Sequence, residues 1–160
     1  MPFKSKVKGR GAVRAEESAA WADFVAMQRA LHKELSNALQ VTANVSEADY
    51  AVLAVLQRRR GQSTRPHELA AELGWEKSRL HRQLVRMEGR KLVKRRHAEE
   101  LGPRAIEVTV TKFGEEAFAT ALESHTAKVD DQVVSVLTGE ELRQLGSISR
   151  KIVRGLTGDT

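Results

Sequence analysis

Apolar residues recur at helical spacing along most of this chain, but between Leu92 and Val110 the period drops to two. Ile106, Val108 and Val110 alternate with Glu107 and Thr109, within an extended stretch running from Ala105 to Val110. Leu92 to Arg96 is a second extended stretch. The polar segment His97 to Pro103 separates the two and ends in Gly-Pro, a turn signal. Two short strands in an otherwise helical chain have only each other to pair with. The pattern therefore predicts one β-hairpin, with residues 97–103 at its tip, inside a mainly α fold.

The flanking text reads as helices. From Glu16 onward Trp21, Phe24, Gln28, Leu31, Leu35 and Leu39 fall three and four apart, ending near Val41–Asn44. Ser46 and Asp49 resemble a capping box that opens a second helix along Tyr50, Leu53 and Leu56. That helix should stop in Arg58-Arg59-Arg60-Gly61, where arginines suit the negative end of the dipole and Gly61 tolerates a left-handed turn. Ser63 or Thr64 is the expected cap of a third helix, with Pro66 in its first turn. Glu76 to Arg90 is a fourth, and helical spacing returns after Thr111. Thr138 with Glu141 forms a capping box for a last helix carrying Leu142, Leu145, Ile148, Ile152 and Leu156.

The joint between the third and fourth helices is the most informative local feature. In Leu69-Ala70-Ala71-Glu72-Leu73-Gly74-Trp75, Ala70 lets two helices cross closely and Gly74 supplies the backbone freedom for a tight reversal. On the fourth helix Leu80, Leu84 and Met87 share one side. Ser78, Arg82, Val85 and Arg86 lie on the far side, with Arg79 beside them. Charge follows the same geography. The net charge is +6, yet residues 58–104 alone carry +8 and residues 1–14 carry +5, while both other stretches are acidic. Such a block points either to a polyanionic partner or to a solvated surface whose charges cluster. An α-helix with arginines outward fits the major groove, roughly 12 Å wide. On this reading Lys77, Ser78, Arg79, His81, Arg82 and Arg86 face DNA. The hairpin is basic at its base through Lys94, Arg95 and Arg96 and carries Arg104 near its tip, so Arg95, Arg96 and Arg104 are expected to contact DNA from the wing, which can put one arginine into a minor groove.

These residues resemble the MarR family of winged helix-turn-helix regulators over roughly residues 16–156. The matching text is HELAAELGWEKSRLHRQLVRMEGRKLVKRR, then PRAIEVTVTKFG, preceded by SEADYAVLAVL and by a long first helix. The resemblance implies a homodimer with first and last helices interlocked, bound to a pseudo-palindromic duplex. It implies helix 76–90 in a major groove, and Arg104 in or along a minor groove. It also implies repression released by a small aromatic or phenolic acid. Two departures stand out. The family usually places Gly where Lys91 stands, so a left-handed turn must be taken by Lys91 or shared with Gly89. The family wing often has Asp two residues before its arginine, whereas Gly102-Pro103-Arg104 stands here.

The implied organisation is a basic, disordered arm (1–15), an N-terminal dimerisation helix (16–45), a DNA-binding domain (46–114) and C-terminal dimerisation helices (115–160). Trp21, Arg29, His32 and Tyr50 could form a ligand pocket, or Trp21 and Tyr50 could serve packing alone. No cysteine is present, which excludes disulfides and thiol catalysis. No nucleotide-binding glycine motif or paired histidine metal site stands out, so no cofactor and no enzymatic activity are expected. No apolar run reaches the roughly 20 residues of a membrane helix, and no apolar stretch follows the basic N-terminus, so a cytoplasmic location is expected. A rival reading keeps the fold as a protein-interaction module that does not read DNA.

Overall fold

The computed structural model describes residues 15–99, 102 and 105–158. The chain divides into two compact units, one up to Lys33 and one from Glu34 onward. Helix α1 (Ala15–Ala43) opens with Glu16 and Glu17, which suit the positive end of its dipole. It ends where Asn44 turns left-handed at φ +51°. There the Asn44 N–H donates to the Gln40 carbonyl and the Val45 N–H to the Leu39 carbonyl. Val45 and Leu39 are both buried, the apolar contact that accompanies such helix ends.

Helix α2 (Glu47–Arg58) starts at the expected capping box. The Asp49 N–H donates to Ser46 Oγ, and the Ser46 N–H donates back to the Asp49 carboxylate. Gly61 takes φ +82° in the turn beyond it. Helix α3 (Pro66–Leu73) corrects one expectation, because its cap is Arg65 and not Ser63 or Thr64. Glu68 reaches back to accept the Arg65 N–H at 2.9 Å. Thr64 is unavailable because it is buried and its carbonyl accepts the Val108 N–H, at 2.9 Å, from the hairpin. The segment before α3 thus lies alongside the wing and ties it to the helical body.

Helix α4 (Lys77–Gly89) begins one residue later than expected, with Glu76 as its cap. Strands β1 (Val93–His97) and β2 (Ile106–Val110) pair antiparallel, from Val93 opposite Val110 to His97 opposite Ile106. The expected inward and outward alternation holds only in part. Val108 is buried, but so is Glu107, because Arg96 directly across the ladder pairs with its carboxylate at 2.5 Å, while Ile106 is exposed. Paired and hydrogen-bonded, that carboxylate tolerates burial.

Thr111 caps α5 (Lys112–Val129), accepting the Gly114 N–H at 2.9 Å. A π-helical turn (Asp130–Val134) continues it, closed by the Ser135 N–H on the Asp130 carbonyl. Helix α6 (Gly139–Thr157) begins at the Thr138–Glu141 capping box and ends at Gly158, φ +74°. The core is assembled from Leu39, Leu53, Leu69, Leu80, Leu84, Met87, Leu92 and Val108, all at most 1% exposed. Each such burial contributes about 1.5–3 kcal/mol. The result is a winged helix-turn-helix in which α2, α3, α4 and the hairpin share one core. Helix α6 buries no residue of its own, and Ile148, Ile152, Val153 and Leu156 stand exposed along it.

Candidate nucleic-acid interface

The joint folds as its residues require. Gly74 takes φ +63°, its N–H donates to Ala71, and the Trp75 N–H reaches the Ala70 carbonyl at 2.9 Å. Ala70 is buried at the crossing.

Helix α4 has two chemically different sides. Leu80, Leu84 and Met87 are at most 1% exposed, while Lys77, Ser78, Arg79, His81, Arg82, Val85 and Arg86 are all exposed. Arg79 lies over the Trp75 ring, its guanidinium carbon 4.2 Å from the centroid, which orients a side chain that would otherwise wander. Arg82 makes no hydrogen bond or ion pair to the described residues. Arg86 donates to Gln83, whose side chain sits on the inner side of the helix. Sequence reasoning missed Gln83 as a core position. The available signal was its place three residues after Leu80, inside the apolar stripe.

Arg95 and Arg96 of the wing have partners within the protein. Glu88, near the end of α4, accepts the Arg95 N–H at 3.1 Å and the Arg95 guanidinium at 2.5 and 2.9 Å. Those hydrogen bonds, the side-chain ones foremost, hold the Glu88 carboxyl below the usual carboxylate range. Arg95 therefore locks β1 onto the end of α4, and Arg96 pairs with Glu107. Lys94 is exposed, whereas Arg104 lies outside the described residues. Lys91 itself adopts φ +61° and no positive φ occurs at Gly89. The Lys91 N–H bonds Glu88 and the Leu92 N–H bonds Met87, so the whole reversal falls on the lysine.

Between the start of α3, α4 and the wing lies a concavity of about 490 Å³. Arg65, His67, Lys77, His81 and Arg95 rim it over Leu80 and Leu84. It is a basic concavity beside the arginine-bearing face of α4.

The four pocket candidates fall in both units. In the first, Trp21 is 65% exposed and tilts against Phe24 at 5.7 Å, while Arg29 and His32 are exposed. In the second, Tyr50 stacks on Phe118 at 5.4 Å and on His125 at 5.1 Å. Partial burial raises the Tyr50 hydroxyl above its ordinary pKa. Among the described residues no helix is long and apolar enough to cross a membrane, and no group of three His, Asp or Glu side chains is placed to hold a metal ion.

No protein-family model and no curated protein sequence matches the chain. Solved structures do. AbsC, a MarR family transcriptional regulator from Streptomyces coelicolor, is 28% identical over 92% of this chain and 99% of its own, with a TM-score of 0.81. Sco3205, a MarR family transcriptional regulator of the same organism solved in complex with DNA, is 27% identical over 91% of this chain and 94% of its own, also with a TM-score of 0.81. The organohalide-sensing regulator RdhR-CbdbA1625, solved with 2,4-dichlorophenol, shares 21% identity and the fold, with a TM-score of 0.75 over 95% of this chain and 89% of its own. With the helix, joint, helix and wing built as described, and likeness extending over more than nine-tenths of its length, the chain has the winged helix-turn-helix fold of MarR family transcriptional regulators and is similar to them throughout.

Proposed function

We propose that the protein is a homodimeric, sequence-specific regulator that reads a pseudo-palindromic operator with α4 of each protomer. The observation that carries this reading is the outward face of α4: a helix anchored by Leu80, Leu84 and Met87 presents Lys77, Ser78, Arg79, His81, Arg82 and Arg86 to solvent. Arginine can grip guanine N7 and O6 in a fork, so Arg82 is assigned to a base edge, and Lys77, Ser78 and His81 to bases or phosphates. In this scheme residues 46–114 bind DNA, and α1 with α5 and α6 forms the dimer. Support for the dimer comes from the exposed apolar stripe of α6. From the wing, Arg95, Arg96 and Arg104 are assigned to the adjacent DNA, and Arg95 and Arg96 also stiffen the wing through Glu88 and Glu107.

Arg82→Ala tests the assignment. It should lose about 1–3 kcal/mol of discrimination at one base pair of each half-site, measured by competitive binding of substituted duplexes. Unchanged affinity and unchanged base preference would sink the assignment. Half-sites should repeat at about 34 Å, one turn of DNA. Weak binding that ignores sequence, with tight capture of a protein partner, would favour the interaction-module reading instead.

We further propose repression released by a small aromatic or phenolic acid. The support is that RdhR-CbdbA1625, a relative in fold, carries 2,4-dichlorophenol. A panel of phenols and benzoic acids tested for release of bound duplex checks this. Absence of release across the panel would remove it.

A further inference from the structure

Helix α4 carries one polar side chain on its anchored side. Gln83 is 2% exposed, among Leu80, Leu84 and Met87. Its amide Nε2 donates to Asp49 Oδ1 at 2.6 Å, and its Oε1 accepts from Arg86 Nη2. Asp49 is also 2% exposed. Its second oxygen accepts the Ser46 N–H at 3.0 Å and Arg90 Nη1 at 2.6 Å. Arg90 completes the node by donating to the Asn44 carbonyl.

The chemistry of these groups leaves one arrangement. A carboxylate only accepts, a guanidinium only donates, and a side-chain amide has one end of each kind. Facing Asp49, Gln83 must present its NH₂ inward, which turns its carbonyl toward Arg86. A buried amide with both ends satisfied has little reason to rotate, since any other orientation leaves polar atoms without partners.

We infer that Asp49 and Gln83 are positioning residues for base recognition, acting as a relay that fixes the Arg86 guanidinium and thereby sets the preference at one base pair per half-site. The inference rests on α4 being the helix that reads DNA. It separates two exposed arginines of that helix. Arg82, with no hydrogen-bond partner among the described residues, must order itself on binding. Arg86 arrives already oriented and loses less freedom.

Selection of bound duplexes from a random pool by the wild type, Arg86→Ala, Gln83→Met and Asp49→Asn tests the relay. Methionine keeps the volume of Gln83 and removes both polar ends. Arg86→Ala should relax one base pair by about tenfold. Gln83→Met and Asp49→Asn should relax that same base pair by about threefold or more, leaving other positions and the affinity for non-specific duplex unchanged. Gln83→Met combined with Arg86→Ala should discriminate no less than Arg86→Ala alone, because both act through one group. Should Asp49→Asn lose the α2 cap and unfold, Gln83→Met decides alone. A folded Gln83→Met protein with full preference, beside a relaxed Arg86→Ala, overturns the relay and leaves the reading of α4 intact. Relaxation by Arg82→Ala but not by Arg86→Ala also overturns it. If the wild type selects no sequence, relay and reading fall together.

Discussion

Lys91 sits where backbone geometry asks for glycine. At φ +61° a side chain crowds its own carbonyl, a cost of roughly 1 kcal/mol that glycine escapes. Lys91→Gly should therefore raise stability by about 0.5–1 kcal/mol, part of the gain being offset by the freer unfolded chain. A higher urea midpoint at constant slope checks it. Gly114 is the opposite case. A Cβ there would lie 2.0 Å from the Leu92 carbonyl oxygen and 2.9 Å from Val110, both rigid neighbours. Gly114→Ala should cost more than about 2 kcal/mol, read in the same titration, because the start of α5 must back away from the root of the hairpin. The two sites differ in how far sequence alone could see them. The reversal at Lys91 was legible through the resemblance, since the family usually places Gly there. The need for Gly114 was not, because it arises from a contact across more than twenty residues. The outward arginines of α4 were legible from helical spacing, and the same spacing placed Gln83 inside, a signal that its polar composition masked.

At the scale of elements, the wing is held by two fastenings that a reading of strands alone does not give. One is the Thr64 carbonyl on Val108, and the other is Glu88 on Arg95. The second has a pH signature. Its hydrogen bonds with Arg95 lower the Glu88 pKa from an ordinary 4.5 in the folded state. Glu88 therefore adds stability above its ordinary value and loses it as pH falls through the lowered one. Glu88→Gln should melt below the wild type at pH 7, and the gap should close in acid, below about pH 4.5. A gap that stays constant across that range would mean that charge is not what fastens the wing. The effect should be modest because Glu88 is partly open to solvent. The hairpin itself was legible from its two-residue period. The burial of Glu107 was not, since it depends on Arg96 lying directly opposite. The π turn at Asp130–Val134 was also hidden, because the apolar spacing of Val129, Val133 and Val136 suits an ordinary helix equally well.

For the molecule as a whole, α6 decides what the chain can be on its own. Ile148→Asp with Ile152→Asp places two charges on the exposed apolar stripe, far from α4 in sequence. If that stripe is a protomer interface, the doubly substituted protein should sediment as a monomer. It should also bind an operator at least about tenfold more weakly, having lost the linkage of two half-sites. An unchanged sedimentation coefficient would remove α6 from the interface. The same helix carries a further implication. If a second protomer covers that stripe, its binding also stabilises the fold. Dilution would then act on this protein as a mild denaturant, and its abundance would govern both how much is assembled and how much is folded.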